Sequence, residues 1–193
     1  MALNFEERLE QVYALSRQVW RDWLTVHHQT QMGVWLVYYK VGSGRPSVRY
    51  PEAVQEALCF GWIDSKVKSL DGERYQQVFT PRKPRSVWSK LNKGYVAELQ
   101  ALGLLRPAGL RVMEAAQQDG SWFSLDACEA LVIPEDLAQA LAQYSAAQAH
   151  FESYPASLKK AILGWIAAAK RPETRQRRIQ RTVEAAGRQQ NPL

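Results

Sequence analysis

Cysteine is scarce in this chain: 193 residues hold two, Cys59 and Cys128. They are too far apart for a CxxC pair or a metal knuckle. Cys59 falls among Ala57, Leu58 and Phe60, the setting of a buried thiol rather than a reactive one. Histidine is as thin, with three in the chain. His27 and His28 are adjacent, and neighbours on a helix point about 100° apart, so the pair makes a poor chelate. His150 sits alone among Ala and Phe. The GxSxG, HExxH and paired-carboxylate patterns are missing, and no pattern asks for a metal or another cofactor. Long apolar runs are missing too. The most apolar stretch, 161–169, falls far short of the roughly 20 residues a membrane span needs. The opening MALNFEERLEQ is acidic and has no apolar centre, so it does not read as a signal peptide. A cytoplasmic, thiol-poor protein is the expectation.

What is present describes a folded domain. The chain is 46% hydrophobic and 23% charged, enough for one substantial core or two small subdomains. The net charge of +6 conceals blocks. Residues 64–93 carry eight basic and three acidic side chains (+5), 94–155 carry two and eight (−6), and 156–193 carry nine and two (+7). A nucleic-acid protein usually gathers its positive charge on one face. Here an acidic block lies between two basic ones, so much of the charge can be answered internally, and any nucleic-acid binding is expected to be weak.

In chain order, 9–15 allows a short strand, and Ser16 can cap a helix with Val19, Trp20, Trp23 and Leu24 on one face. Residues 34–39, VWLVYY, read as a buried strand. The following GSGRP lacks the GK[ST] ending of a phosphate loop and reads more simply as a turn. Pro51 opens a helix whose buried stripe is Ala53, Val54, Ala57 and Leu58, and Gly61 closes it. Two runs flank Asp71-Gly72, which signals a hairpin whose central residues take positive φ. Thr80-Pro81 ends the second strand. From Val87 onward the pattern is helical. Trp88, Leu91, Tyr95, Leu99 and Leu102 share one face, 107–119 forms another helix, and Trp122 with Phe123 plugs a loop. Pro134 opens a third helix with Leu137, Leu141 and Tyr144 inward. A strongly apolar helix follows from Ser157, with Trp165 buried, until Pro172 interrupts it. The last helix places Ile179, Val183 and Ala186 inward and Arg175, Arg177, Arg178 and Arg181 elsewhere. Those arginines either reach nucleic acid or an acidic surface, or pair with the acidic middle block, which is the preferred reading.

The distinctive stretch is 59–92, and three of its parts carry chemistry. Arg82, Lys83 and Arg85 surround Pro84, and Ser86 is placed to cap a helix starting at Val87. Three cations beside free helix N–H groups make a candidate anion site, though a solvated basic loop would look the same. Trp88 either walls that pocket or joins the core. Asp64 lies among Lys66, Lys68 and Arg82, which hold it ionised; such a carboxylate serves a salt bridge as well as a general base. Because few residues connect hairpin and helix, Asp64, Lys66, Arg82, Lys83, Arg85, Ser86 and Trp88 are expected to converge on one pocket for a small anionic ligand.

The motifs CFGWIDS, FTPRKPRSVWSKLN and WIAAAKRPETRQRRIQRTVE, with VWLVYYKVGSGRPSV, resemble the YdeI/OmpD-associated (bacteriocin-protection) family. The resemblance covers 34–92 and 150–187. It implies a link to envelope stress and antimicrobial resistance, and no defined biochemical activity. The expected architecture is α+β: a small antiparallel or mixed sheet with a hairpin and packed helices over 1–93, then an all-helical half over 94–193 packed on it. The expected function is a non-catalytic stress- or resistance-linked module that binds an anion through the basic hairpin-loop-helix stretch. The alternatives are a nucleic-acid-binding protein, a partner-binding factor using its basic C-terminal helix, and an enzyme with Asp64 as general base.

Overall fold

The computed structural model describes residues 4–193. The chain forms two compact units, Met1–Phe123 and Ser124–Leu193. The division falls later than the expected 93/94, because the two helices after the hairpin belong to the first unit.

The first unit is α+β. Strand β1 (Gln11–Tyr13) pairs parallel with β2 (Val34–Tyr39), which pairs antiparallel with β4 (Arg74–Pro81), and β4 pairs with β3 (Trp62–Ser69). The mixed sheet therefore runs β1-β2-β4-β3. Helix α1 (Arg17–His27) starts at Ser16, whose hydroxyl accepts from the Val19 N–H, as expected. Helix α2 (Tyr50–Cys59) carries Pro51 in its first turn and buries Ala53, Val54, Ala57 and Leu58. Both helices cover one sheet face, where Trp20 meets Phe79 with ring centroids 5.4 Å apart. Trp20 and Trp62 are fully buried, and each indole N–H finds a carbonyl, of Ala53 and His28 respectively. That removes the cost of hiding a polar handle in the core.

One feature of this core was not legible in the sequence. Glu56 is 2% exposed and accepts from Arg17 Nε at 2.6 Å and from Arg21 Nη1. Arg21 also donates to the Leu104 carbonyl, tying α1 to the chain beyond α3 (Lys90–Ala101).

The hairpin is present, but its turn differs from the expected form. Gly72 is not among the positive-φ glycines, and neither is Asp71 among the other positive-φ residues. Instead the Asp71 carboxylate accepts from the backbone N–H groups of Glu73 and Arg74 and pairs with the Arg74 side chain. An Asx-type side-chain turn has replaced the left-handed dipeptide. Between Asp64 and Val67 the ladder is irregular, a bulge in β3.

Helix α3 is capped by Ser89, whose hydroxyl accepts from the Asn92 N–H. The start is later than Val87, so Ser86 is not a cap and Trp88 precedes the helix. The face shifts with it: Val96 and Leu99 are buried, while Leu91 is 57% and Leu102 70% exposed. Phe123 and Tyr144 are likewise exposed rather than plugged into a core.

Helix α4 (Pro107–Gln118) approaches the end of α2 closely. A Cβ on Gly109 would lie 2.4 Å from the Cys59 carbonyl oxygen and 2.7 Å from that of Leu58. Gly61 has φ +76°, and its added Cβ would meet Val112 at 2.9 Å and the Ala108 carbonyl at 3.0 Å. Both glycines are fixed by backbone approach.

The second unit is helical: α5 (Asp126–Glu129), α6 (Glu135–Ala142), α7 (Ser145–Ser153), α8 (Ala156–Ala167) and α9 (Pro172–Gly187). Leu137, Leu141, Phe151, Ile162, Ile166, Ile179 and Val183 form its core. Trp165 is only partly buried, contrary to expectation, because it serves as a platform for Arg178 and Arg181, 5.0 and 5.6 Å from its ring centroid. Among the described residues no helix is long and apolar enough to cross a membrane.

Gly109→Ala is expected to destabilise the protein by about 1–3 kcal/mol, the range for forcing an extra methyl into a packed contact. A urea melt followed by tryptophan fluorescence measures it. An unchanged midpoint would mean that α4 can move away from α2 at little cost.

Candidate functional site

Residues 82–86 leave the end of β4 and turn sharply before α3. The Ser86 N–H donates to the Lys83 carbonyl at 3.3 Å. Pro84 occupies the second position of that turn, and Arg85, at the third, has φ +59°. A turn with proline second and a left-handed third residue normally carries glycine or asparagine there; arginine costs about 1–2 kcal/mol. One residue past the end of α4, the Asp119 carboxylate lines the same space as Arg85, interacts with it electrostatically and accepts from the Ser121 N–H at 2.9 Å.

Loop and helix enclose a cavity of about 150 Å³, lined on one side by Arg82, Lys83, Arg85, Ser86 and Trp88 and on the other by Arg111, Ala115 and Asp119. Five of the seven residues expected to form a site thus surround one space. Trp88 is both wall and core, at 2% exposure. Arg111 was missed, since it lies 26 residues beyond Arg85 in a helix whose exposed face gives no local signal.

Asp64 and Lys66 do not line this cavity. The Lys66 ammonium pairs with Glu6 at 2.8 Å, and Asp64 accepts from Tyr50 Oη at 3.0 Å and from Gln77 Nε2 at 2.7 Å. The single connection that brings loop and hairpin together does not aim their side chains alike, because successive strand residues point to opposite faces. Asp64 still acts at a distance, its field opposing the desolvation of Arg82.

Arg82 is the unusual group. It is 8% exposed, its guanidinium lies 3.6 Å from the centroid of the Trp88 ring, and Nη2 donates to the Val87 carbonyl. Its Nε and Nη1 are buried and have no hydrogen-bond partner, and neither does the buried Ser86 hydroxyl. Desolvation pulls the guanidinium pKa down to about 10. The group stays charged at neutral pH, so a largely dry cation stands in the cavity wall with two donors that neither protein nor solvent reaches. Among the described residues, no group of His, Cys, Asp and Glu could hold a metal ion.

The arginines of α9 are placed differently. Arg175 forms a fork with Asp136, with Nε and Nη2 at 2.6 and 2.9 Å from its oxygens. Arg178 donates to the Trp165 carbonyl, and Lys160 on α8 pairs with Glu129 at 2.8 Å. Glu129 and Asp136 belong to the acidic middle block, so part of the charge alternation is spent on pairing inside this unit.

The architecture is thus an α+β unit with a basic turn-and-helix cavity, followed in the chain by a helical unit. Residues 12–112 match the model described as a domain of unknown function, DUF8412, and the chain belongs to that family. Residues 130–189 match a second model, described as Bacteriocin-protection, YdeI or OmpD-Associated, in agreement with the C-terminal motif WIAAAKRPETRQRRIQRTVE. The motifs within 34–92 fall under the first model, not the second. No curated protein and no solved structure matches the chain.

Two expected outcomes test the turn. Ser121, through its side chain and backbone N–H, and then the neighbouring Arg85 hold the Asp119 carboxyl below its ordinary 3.8. The folded form therefore binds this proton less readily than the unfolded form. Its contribution is complete above about pH 4 and is lost as pH falls through the lower folded value. Asp119→Asn should flatten this part of the acid limb in a pH series of melts, and an unchanged limb would show that Asp119 does not anchor the turn. Arg85→Gly should raise stability by about 1 kcal/mol by relieving the left-handed strain. A lower melting temperature would show that the arginine side chain holds the turn together.

Proposed function

We propose that this chain is an intracellular binding module for a small oxyanion, a phosphate or carboxylate group, held between the turn 82–86 and α4. The observation that carries this reading is Arg82: a buried cation with two donor nitrogens unused, stacked on Trp88 and facing a cavity. Leaving such a group without an anion is costly, and a ligand oxygen would restore both charge balance and hydrogen bonding. Guanidinium forks match phosphate and carboxylate geometry, and Lys83, Arg85 and Arg111 add charge at the rim. The Ser86 hydroxyl supplies a further donor.

The same features favour binding over chemistry. Asp119, the carboxylate lining the cavity, is engaged by the Ser121 N–H rather than by a nucleophile. The bacteriocin-protection description of the family matched at 130–189 suits a stress- or resistance-linked role for such a module. Nucleic acid is a weaker reading, because Arg175, Arg178 and Arg181 already have partners within their own unit.

A thermal-shift series with inorganic phosphate, sulfate, succinate and mononucleotides tests the site. At about 100 times its dissociation constant, a bound anion should add roughly 2.7 kcal/mol of stability. Lys83→Ser with Arg111→Ser should abolish that gain while leaving the unliganded melt within about 0.5 kcal/mol, since both are surface cations. If no anion shifts the melt, or the double variant shifts as the parent does, the site is refuted. Sub-micromolar binding of a DNA duplex at physiological salt would instead promote the nucleic-acid reading.

A further inference from the structure

The oxyanion cavity has a neighbour on the sheet. Because Phe79 points toward α1, the alternation along β4 turns Val78 and Thr80 to the opposite face. There, with Ile63 and Ser65 of β3, Met32 and Phe5, they line a second cavity of about 480 Å³. Its walls are largely apolar, and Met32 is 60% and Phe5 46% exposed. Its size lies within the range of small-molecule pockets. The acidic group at its edge, Glu6, is neutralised by Lys66.

Lys83 and Ser86 line both cavities. The cationic cavity and the apolar trough thus adjoin at these two residues, a cation and a hydroxyl with no hydrogen-bond partner. A ligand satisfying only one part leaves the other unfilled: a free phosphate covers no apolar wall, and a neutral apolar molecule leaves Arg82 unanswered.

We propose that the occupant is a free single-chain anionic amphiphile, with its phosphate or carboxylate head among Arg82, Lys83 and Ser86 and its alkyl chain along the trough on β3 and β4. This rests on the oxyanion reading and names the ligand class. The source is a dissolved molecule rather than a membrane. The apolar surface is a recess, which a chain can enter but a bilayer cannot, and insertion into a bilayer would need a protruding apolar face.

Calorimetric titration of the full chain with inorganic phosphate, n-butyl phosphate and n-octyl phosphate, all below their micellar concentrations, tests this. Each buried methylene should tighten binding by about three- to four-fold, so the octyl ester should bind far more tightly than phosphate. Met32→Gln with Ser65→Asn, neutral polar replacements at exposed positions, should reduce the dependence on chain length and leave phosphate binding unchanged. Lys83→Ser should weaken all three ligands. Equal affinity for phosphate and octyl phosphate would overturn the amphiphile while leaving the oxyanion site intact. Failure of all three to bind would overturn both. Octyl phosphate binding that ignores Lys83→Ser would mark plain apolar adsorption and overturn the proposal, as would binding of phosphatidylglycerol vesicles in preference to the free ester.

Discussion

The corner where α2 turns into β3 is the constraint on which the first unit depends. Within residues 58–61 the backbone meets three other segments. Arg106 N–H donates to the Cys59 carbonyl, and Arg82 N–H to the Gly61 carbonyl at 2.9 Å. Gly109 presses against the carbonyls of Leu58 and Cys59, and Gly61 against α4. One short corner thus fixes the start of the basic turn and the helix facing it. The cavity between them follows from that double attachment. A side chain at Gly61 or Gly109 would push α4 outward, and with it Arg111 and Asp119.

Two buried arginine arrangements in the same unit show how differently a desolvated cation can be handled. Arg21 meets Glu56, and Arg17 closes the other carboxylate oxygen; each cation has an anionic partner and both carboxylate oxygens are used, so the group ties α1 to α2. Arg82 has aromatic contact, one carbonyl and the distant field of Asp64, yet keeps two donors unused. Aromatic stacking contributes about 1–2 kcal/mol, less than burying a cation costs. The first arrangement is complete without a ligand. The second is not, and this asymmetry separates scaffold from site more sharply than charge count does.

Much of the fold was legible because its signals are local. VWLVYY gave its strand to the residue, Pro51 and Gly61 bracketed α2, and Ser16 capped α1. Where a feature depended on tertiary position, the signal failed. Asp71-Gly72 marks a hairpin, but its geometry was decided by the Asp71 side chain. Ser86 and Ser89 are equally good caps by type, and the turn at 83–86, closed by the Ser86 N–H on the Lys83 carbonyl, selected the second. The convergence of Arg82, Lys83, Arg85, Ser86 and Trp88 followed from proximity along the chain. The exclusion of Asp64 and Lys66 required knowing which way β3 faces around its bulge, and Arg111 required knowing that α4 packs there. Composition shows neither.

The basic turn is stiff before any ligand arrives. Pro84 fixes one dihedral, the Ser86 N–H closes the turn on the Lys83 carbonyl, and the Gly61 carbonyl anchors the first residue. Each device lowers the number of states the turn can visit, so an incoming anion loses little ordering entropy. Two other features of the turn oppose folding of the unliganded protein, the left-handed arginine and the unanswered guanidinium. Such local debts persist only where the surrounding structure over-determines the conformation. Here the packing of α4 on the α2 corner does so. Rigidity of the corner and strain in the turn are therefore one arrangement: the first makes the second tolerable, and the turn keeps Arg82 buried in the cavity wall with two donors unpaired.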